Sequence, residues 1–307
     1  MKIEVAQSKY KWFALSGSVI GIGLIAMVIS MFTFGSPIKL GLDFTGGTLI
    51  QLNFPKAPEE SKVRSAISAE NLPGTVIQKV GDGGIAIRTK RLSEDERLKL
   101  QGKLKSELGS FTVERVESVG PILGQELLVN GLLALAVSLA GILIYLAFRF
   151  QLDYAVCASL AMFHDVLIMM GVFSILGLVF GTEVDALFVV AMLTIIGFSV
   201  QDTVVVYDRV RENLQFISRK KPFAEIVNDS VNQTLARSIN TTVTVLLVLV
   251  PLYIFGGTTL RDFAFALIVG FIIGAYSSIF TASALLVWWR ERNTTSTPPS
   301  QKAKASA

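Results

Sequence analysis

The sequence predicts a polytopic α-helical membrane protein with six transmembrane helices and an α+β, ferredoxin-like extracytoplasmic domain between helices 1 and 2. Three observations lead there. Of 307 residues, 51% are hydrophobic and only 17% charged, with a mean hydropathy of +0.57, a balance outside that of ordinary soluble domains. Six stretches, 12–34, 128–148, 155–180, 186–207, 239–255 and 263–289, are apolar over about the 20 residues that cross a bilayer. Between the first two lies a long segment, 35–127, patterned as alternating strands and helices.

Residues 1–11 read as a cytoplasmic N-terminus. The first span is too long in its apolar run to be a cleavable signal, and no small-x-small site follows it. Its Gly17 and Gly21 form a GxxxG spacing that allows close approach of another helix. Gly41–Thr48, GLDFTGGT, follows; glycines at this density predict a positive φ or close backbone approach. A phosphate-cradling loop would need a GxGxxG or Walker spacing, which is missing here.

Within 35–127, Thr48–Phe54 alternates as a strand, and Pro58 opens a helix to Glu70 with Val63, Ala66 and Ile67 on one face. Thr75–Val80 and Ile85–Lys90 flank Gly81-Asp82-Gly83-Gly84, a hairpin signal. Ser93 with Glu96 makes a capping box for a helix to Leu108, and Phe111–Val119 alternates again. This βαββαβ order is the ferredoxin-like arrangement, two helices on one face of an antiparallel sheet. The domain reads either as a binding module or as a structural cap.

The second span is uncharged, with Asn130 near one end. The third contains Cys157, Ala161, His164 and Asp165; a single cysteine makes no intrachain disulfide. After the fourth span, 208–238 reads as a cytoplasmic amphipathic loop. Asp208–Lys221 is charged, and Pro222 starts a helix with Phe223, Ile226, Val227, Val231 and Leu235 on one face, expected at the inner membrane surface. The sixth span carries Ala266, Gly270, Gly274, Ser278 and Ala282, a packing face for a second subunit or for the bundle core. The tail, 290–307, is from Asn293 onward too polar to fold alone.

Orientation follows the cationic residues of short loops. Lys2, Lys9, Lys11, Arg149, Arg209, Arg211, Arg219, Lys220, Lys221, Arg237, Arg290, Arg292, Lys302 and Lys304 fall on one side, and only Arg261 on the other. Both termini are therefore expected in the cytoplasm. The net charge of +4 follows from that topology and needs no nucleic-acid partner.

Three ionisable side chains lie well inside the spans: His164, Asp165 and Asp202. A charged residue near a span's centre is expensive, and so is a functional hypothesis by default. At about 1.5 Å per residue, Asp165 lies roughly 15 Å deep and Asp202 roughly 9 Å. Arg237 sits at the inner mouth of the fifth span. If these helices are neighbours, Arg237, Asp202 and then Asp165 with His164 form a ladder of the kind proton paths use. Each rung has a plainer alternative. Arg237 can anchor a helix end by snorkelling, His164 can be a satisfied interior residue, and either aspartate can be a static polar link. Ser199, Gln201 and Thr203 supply polar company around Asp202.

Other chemistry fits poorly. An intramembrane aspartyl protease needs YD and GxGD sequences, whereas these aspartates sit in Phe163-His164-Asp165 and Ser199-Val200-Gln201-Asp202. The single histidine adjoins no elbow serine, and no nucleotide loop is present. The chain therefore reads as a non-enzyme without cofactor or metal, its work drawn from an ion gradient or a partner.

Several of these motifs together carry a family resemblance. They are Gly41–Thr48, Val119-Gly120-Pro121, Phe163-His164-Asp165-Val166, Gly197–Asp208 (GFSVQDTVVVYD), Arg209-Val210-Arg211-Glu212-Asn213 and Gln233-Thr234-Leu235-Ala236-Arg237-Ser238. Over residues 10–290 they resemble, in order, the SecD/SecF family of protein-export membrane proteins, within the resistance-nodulation-division superfamily. The length and the single outer domain favour the SecF branch. The resemblance implies a half-transporter in the bacterial cytoplasmic (inner) membrane, paired with SecD beside the SecYEG channel. It implies that proton flow, with sodium as the other candidate ion, completes preprotein export on the outer side. Carried over by position, Asp202 matches the membrane aspartate held essential for proton flow, Arg237 its associated arginine, and Asp165 the HD pair, with His164 beside it. A small-molecule or lipid exporter half, and a passive assembly subunit for SecD, are the rival readings.

Overall fold

The structure, a computed structural model, describes residues 3–55, 58–68, 72, 75–80, 83–217 and 221–295. Gly81 and Asp82 of the expected hairpin, Glu70 at the expected helix end, Lys2, Arg219, Lys220 and the tail from 296 lie outside the described residues. The chain divides into a sheet unit, Leu40–Leu133, and a helical unit, Met1–Lys39 with Ala134–Ala307.

In the sheet unit, a short α2 (Leu42–Thr45) precedes β1 (Gly47–Asn53), α3 (Glu60–Ser68), β2 (Val76–Val80), β3 (Gly84–Thr89), α4 (Glu94–Leu108) and β4 (Thr112–Val119). The strand order is β2-β3-β1-β4 and every pair is antiparallel, which is the expected ferredoxin-like topology. Alternation explains the core: Ile50, Leu52 and Phe54 project from one face of β1 and pack with Ile85 and Ile87 of β3. Val63, Ala66 and Ile67 of α3 and Leu100 and Leu104 of α4 close that face. Ser93 and Glu96 form the reciprocal capping box at the start of α4.

The glycine-rich stretch does both things expected of it. Gly46 and Gly47 have φ of +70° and +121°, where an L side chain is strained. A Cβ on Gly46 would stand 2.9 Å from Pro121 Cα, and one on Gly47 2.5 Å from the Thr89 carbonyl oxygen. A Cβ on Gly124, one turn into α5 (Pro121–Arg149), would meet the Phe44 carbonyl oxygen at 3.0 Å. Glycine lets this turn lie flat on the start of α5.

The helical unit is built from α1 (Lys9–Phe34), the later part of α5, α6 (Leu152–Phe180), α7 (Ala186–Ile217), α8 (Phe223–Phe255), α9 (Gly257–Tyr276) and α10 (Ser283–Thr295). A π-helical turn, Ser277–Ala282, joins α9 to α10. Among the described residues, six helical stretches, α9 to α10 counting as one, are long and apolar enough to span a bilayer, and the protein is a multi-pass membrane protein. α1 crosses α6 at paired glycines: a Cβ on Gly171 would lie 2.7 Å from Gly23 Cα. Gly17 and Gly21, the expected GxxxG pair, meet nothing within 4 Å.

One expectation changes. The segment 208–238 is not a loop with a separate surface helix, because α7 runs on to Ile217 and α8 is continuous from Phe223. The reason lies in the apolar period: Val206, Tyr207, Val210 and Asn213 on α7, and Ile226, Val227, Ser230, Val231 and Thr234 on α8, are all buried. These stripes pack on each other, with Asn213 Nδ2 donating to Ser230 Oγ at 2.8 Å. The apolar face of α8 is therefore used inside the protein. Of the two readings open for the small-residue stripe of the sixth span, the structure shows packing inside the bundle. A Cβ on Gly270 would collide with Ile195, and one on Gly274 would reach Ser199 Cβ at 3.2 Å, both on α7.

The start of the chain is clasped to α8. Asn232 accepts from the Ile3 amide and donates to the Ile3 carbonyl, both at 2.8 Å. Asn228 Oδ1 accepts from the Ala6 amide at 3.0 Å, and Val5 and Ala6 are buried beneath.

Candidate functional site

The helical unit holds two buried carboxylates, Asp165 on α6 at 1% exposure and Asp202 on α7 at 8%. Each is wrapped in hydroxyls from neighbouring helices. Asp165 Oδ1 lies 2.9 Å from His164 Nδ1. Its Oδ2 accepts from Ser277 Oγ at 2.7 Å and from Ser199 Oγ. His164 Nε2 reaches Ser16 Oγ on α1 at 2.9 Å, and its ring stacks on Tyr276. Asp202 Oδ1 accepts from Ser238 Oγ of α8 at 2.7 Å, and Oδ2 from Ser278 Oγ.

The local fold explains this convergence. Ser277 and Ser278 are adjacent in the π turn, and successive helical residues point about 100° apart. One hydroxyl therefore faces α6 and Asp165 while the next faces α7 and Asp202. The wide turn leaves backbone carbonyls without their usual partners. The Tyr207 hydroxyl, fully buried on α7, donates to the Ala282 carbonyl at 2.9 Å. Phe150 and Tyr154 hold the Tyr207 ring edge-on, with centroids at 6.1 and 5.3 Å.

Of the four residues singled out from sequence, the structure brings His164 and Asp165 into direct contact and joins Asp202 to them through the serine pair. Arg237 is placed apart. It is exposed, and among the described residues no hydrogen bond or ion pair links its guanidinium to Asp202; the next residue, Ser238, makes that contact. Arg237 instead lines a groove of about 370 Å3 with Val205, Asp208, Arg209, Glu212, Gln233 and Thr234. Of the polar company expected for Asp202, Ser199 serves Asp165 instead and Gln201 is exposed.

Ser16, Ser238 and Ser277 were not visible as site residues, because a lone serine in an apolar helix carries no periodic signal. Ser278 was visible only as a small residue in a stripe. Among the described residues no group of His, Cys, Asp and Glu has the makings of a metal site, and Cys157 is buried and free.

Comparison with known proteins decides the relationship. A family model described as protein export membrane protein SecD/SecF, C-terminal, matches residues 99–292. The chain belongs to the SecD/SecF family. A second model, the SecD/SecF GG motif, covers residues 30–54, the stretch in which Gly46 packs on the start of α5 and Gly47 on β3. Among SecD/SecF relatives, the protein translocase subunit SecF of Synechocystis is 45% identical over 97% of this chain and 98% of its own length. The subunit SecF of Thermobaculum terrenum is 42% identical over 95% of both. The crystal structure of SecDF from Thermus thermophilus, described as translocon-associated, superposes with a TM-score of 0.83 at 37% identity over 95% of this chain. A SecDF structure in a super-membrane-facing form gives 0.68 at 35% identity. The chain spans 39% and 40% of those two solved chains.

Proposed function

We propose that this chain is the SecF-type accessory subunit of the Sec translocation machinery, and that it uses the proton-motive force to complete preprotein export on the outer side of the membrane. The observation that carries the reading is the buried pair Asp165 and Asp202, solvated by serine hydroxyls and one imidazole. Two carboxylates at 1% and 8% exposure with no lysine or arginine bonded to either among the described residues are suited to taking up and releasing protons. His164 is the group through which Asp165 exchanges with α1. Arg237, in the open groove below, acts on the entry side rather than as a direct partner of Asp202.

SecD is the proposed partner, because relatives such as the SecDF of Thermus thermophilus, 41% identical over 88% of this chain, carry a matching segment within a longer polypeptide. The SecYEG channel and the translocating preprotein complete the assembly, in the bacterial inner membrane with both termini cytoplasmic. The chain acts as a conformational motor part and not as an enzyme. One proton moving down about 100 mV releases roughly 2.3 kcal/mol, a bias of about fifty-fold between two poses.

The test is export into vesicles containing this chain, SecD and the channel, with and without a proton gradient. Asp202→Asn keeps shape and removes titration; the gradient-dependent fraction should vanish while ATP-driven insertion continues. Full gradient dependence in that variant, or dependence on a sodium gradient alone, contradicts the proton reading. Unchanged proton flux through SecD with the variant partner points to a passive subunit, and loss of small-molecule efflux in place of export points to the exporter class.

A further inference from the structure

The two π-turn serines each have a second acceptor within reach. Ser277 Oγ, which donates to Asp165 at 2.7 Å, also stands 3.3 Å from the Gly274 carbonyl oxygen. Ser278 Oγ, which donates to Asp202, stands 3.2 Å from the Ala275 carbonyl oxygen. Both alternatives lie one turn back, on the last turn of α9 before the π turn, where the Ser277 amide is shared between the carbonyls of Gly274, three residues back, and Ile273, four back. A hydroxyl has one proton and serves one strong acceptor at a time. An ionised carboxylate outcompetes a neutral carbonyl for it.

We infer that Ser277 and Ser278 read the charge on Asp165 and Asp202 and write it into the register of the π turn. With a carboxylate ionised, its serine donates to it and the turn stays wide. With that carboxyl protonated, it becomes a donor itself; the serine accepts from it and swings its own proton to the carbonyl three residues back. Such back-bonding bends helices. Here it falls on the last turn of α9, directly before the π turn, and the far end of that turn is pinned by Tyr207 on the Ala282 carbonyl. α10 in turn is tied to α6 through Arg290 Nε and Asp153 at 2.6 Å. Proton loading is thereby converted into a turn of α10 against α9.

Ser199 shares Asp165 Oδ2 with Ser277, and Ser238 holds the other oxygen of Asp202. His164 is the only titratable side chain bonded to either carboxylate among the described residues. α1, α7, α8 and the π turn present hydroxyls at this site: Ser16, Ser199, Ser238, Ser277 and Ser278. Two serines on consecutive positions give the two carboxylates separate readers on a single turn. This inference rests on the proton-loading reading above for its use in transport, although its geometry stands without it.

The sequence offers a direct probe. Gly274-Ala275 is the only Gly-Ala step in the chain and Ala275-Tyr276 the only Ala-Tyr step. Labelling the full chain in lipid with carbonyl-13C glycine and 15N alanine, or carbonyl-13C alanine and 15N tyrosine, isolates each carbonyl in a solid-state NMR spectrum. Asn sets a donor NH2 beside an acceptor oxygen, as a protonated carboxyl sets a donor hydroxyl beside one. Asp165→Asn should move the Gly274 carbonyl downfield, and Asp202→Asn the Ala275 carbonyl. Each shift should disappear when the reading serine is also changed, Ser277→Ala or Ser278→Ala, and return with Thr at that position. Carbonyls that stay in place in the Asn variants, or that move equally with and without the serine hydroxyl, overturn the inference. A moving carbonyl together with full gradient-dependent export in Asp202→Asn would support the switch and remove the proton-driven reading, so the two fail separately.

Discussion

Gly171→Ala is a small change with a calculable reach. The added Cβ would lie 2.7 Å from Gly23 Cα, against a comfortable carbon–carbon separation of about 3.5–4.0 Å. α1 and α6 must then part by roughly 1 Å at this crossing. Ser16 and His164 stand seven residues before Gly23 and Gly171 respectively, about 10.5 Å or two turns along the same helix faces. A parting transmitted that far stretches the 2.9 Å contact between His164 Nε2 and Ser16 Oγ past the roughly 3.5 Å where a hydrogen bond ceases to count. Overpacking costs roughly 1–3 kcal/mol, and an interhelical hydrogen bond in a membrane averages about 0.6 kcal/mol. The variant should lose about 2–4 kcal/mol in total. The chain contains one histidine, so 15N-histidine NMR reports His164 alone, beside a thermal unfolding measurement in lipid. Gly17→Ala, at a position that meets nothing within 4 Å, is the control and should change stability by less than about 0.5 kcal/mol. Native stability and unchanged imidazole nitrogen shifts in Gly171→Ala would refute the reasoning.

Three other outcomes are expected. Gly47→Ala, which places a Cβ 2.5 Å from the Thr89 carbonyl at a φ of +121°, should destabilise the sheet unit by at least about 1–3 kcal/mol from backbone strain alone, seen as earlier protease cleavage between residues 40 and 133 of the full chain. Hydrogen bonds from the Ser93 amide and hydroxyl hold the Glu96 carboxyl below the usual glutamate range. Its support for α4 is thus complete above the ordinary glutamate pKa and is lost as pH falls through the lowered one; in Ser93→Ala, which keeps the amide donor and removes the hydroxyl, an amide NMR titration should show Glu96 moving part of the way back toward the ordinary range. Arg149 and Asp208 pair at 2.7 Å with side chains 38% and 40% exposed, so Arg149→Ala should cost no more than about 1 kcal/mol, with the difference from wild type shrinking as salt is raised.

Legibility in the sequence tracked the strength of local periodic signals. The ferredoxin-like order could be read because Ile50, Leu52 and Phe54, and Ile85 and Ile87, recur at every second position, and because Ser93 and Glu96 mark the start of α4. The spans could be read because apolar length is a cumulative property. Their ends could not: charged residues after Tyr207 suggested a loop, yet Val210 and Asn213 continue the buried stripe of α7. Asp165 and Asp202 stood out as expensive residues in apolar surroundings. What surrounds them did not, because Ser16, Ser238, Ser277 and Ser278 come from three helical segments far apart in the chain, and only the packed bundle brings them together. The π turn has no sequence mark of its own. It interrupts a regular spacing of small residues that, by itself, describes an unbroken helix. The sequence placed Arg237 at a helix mouth without showing which way it faces: helical rotation of about 100° turns Ser238 toward Asp202 and leaves the arginine facing the groove.

The clasp on the start of the chain has an evolutionary consequence. Asn232 grips the main chain of Ile3, amide and carbonyl both, and Asn228 grips the amide of Ala6. Neither asparagine inspects the side chain at position 3 or at Glu4, so those two letters are free to drift among homologous chains. Spacing is another matter. Inserting or deleting one residue between Ile3 and Ala6 shifts one grip relative to the other by about 3.3–3.6 Å, enough to lose it and to lift Val5 out of its buried seat. Selection on this end of the protein should therefore tolerate substitutions at positions 3 and 4 while rejecting changes of length.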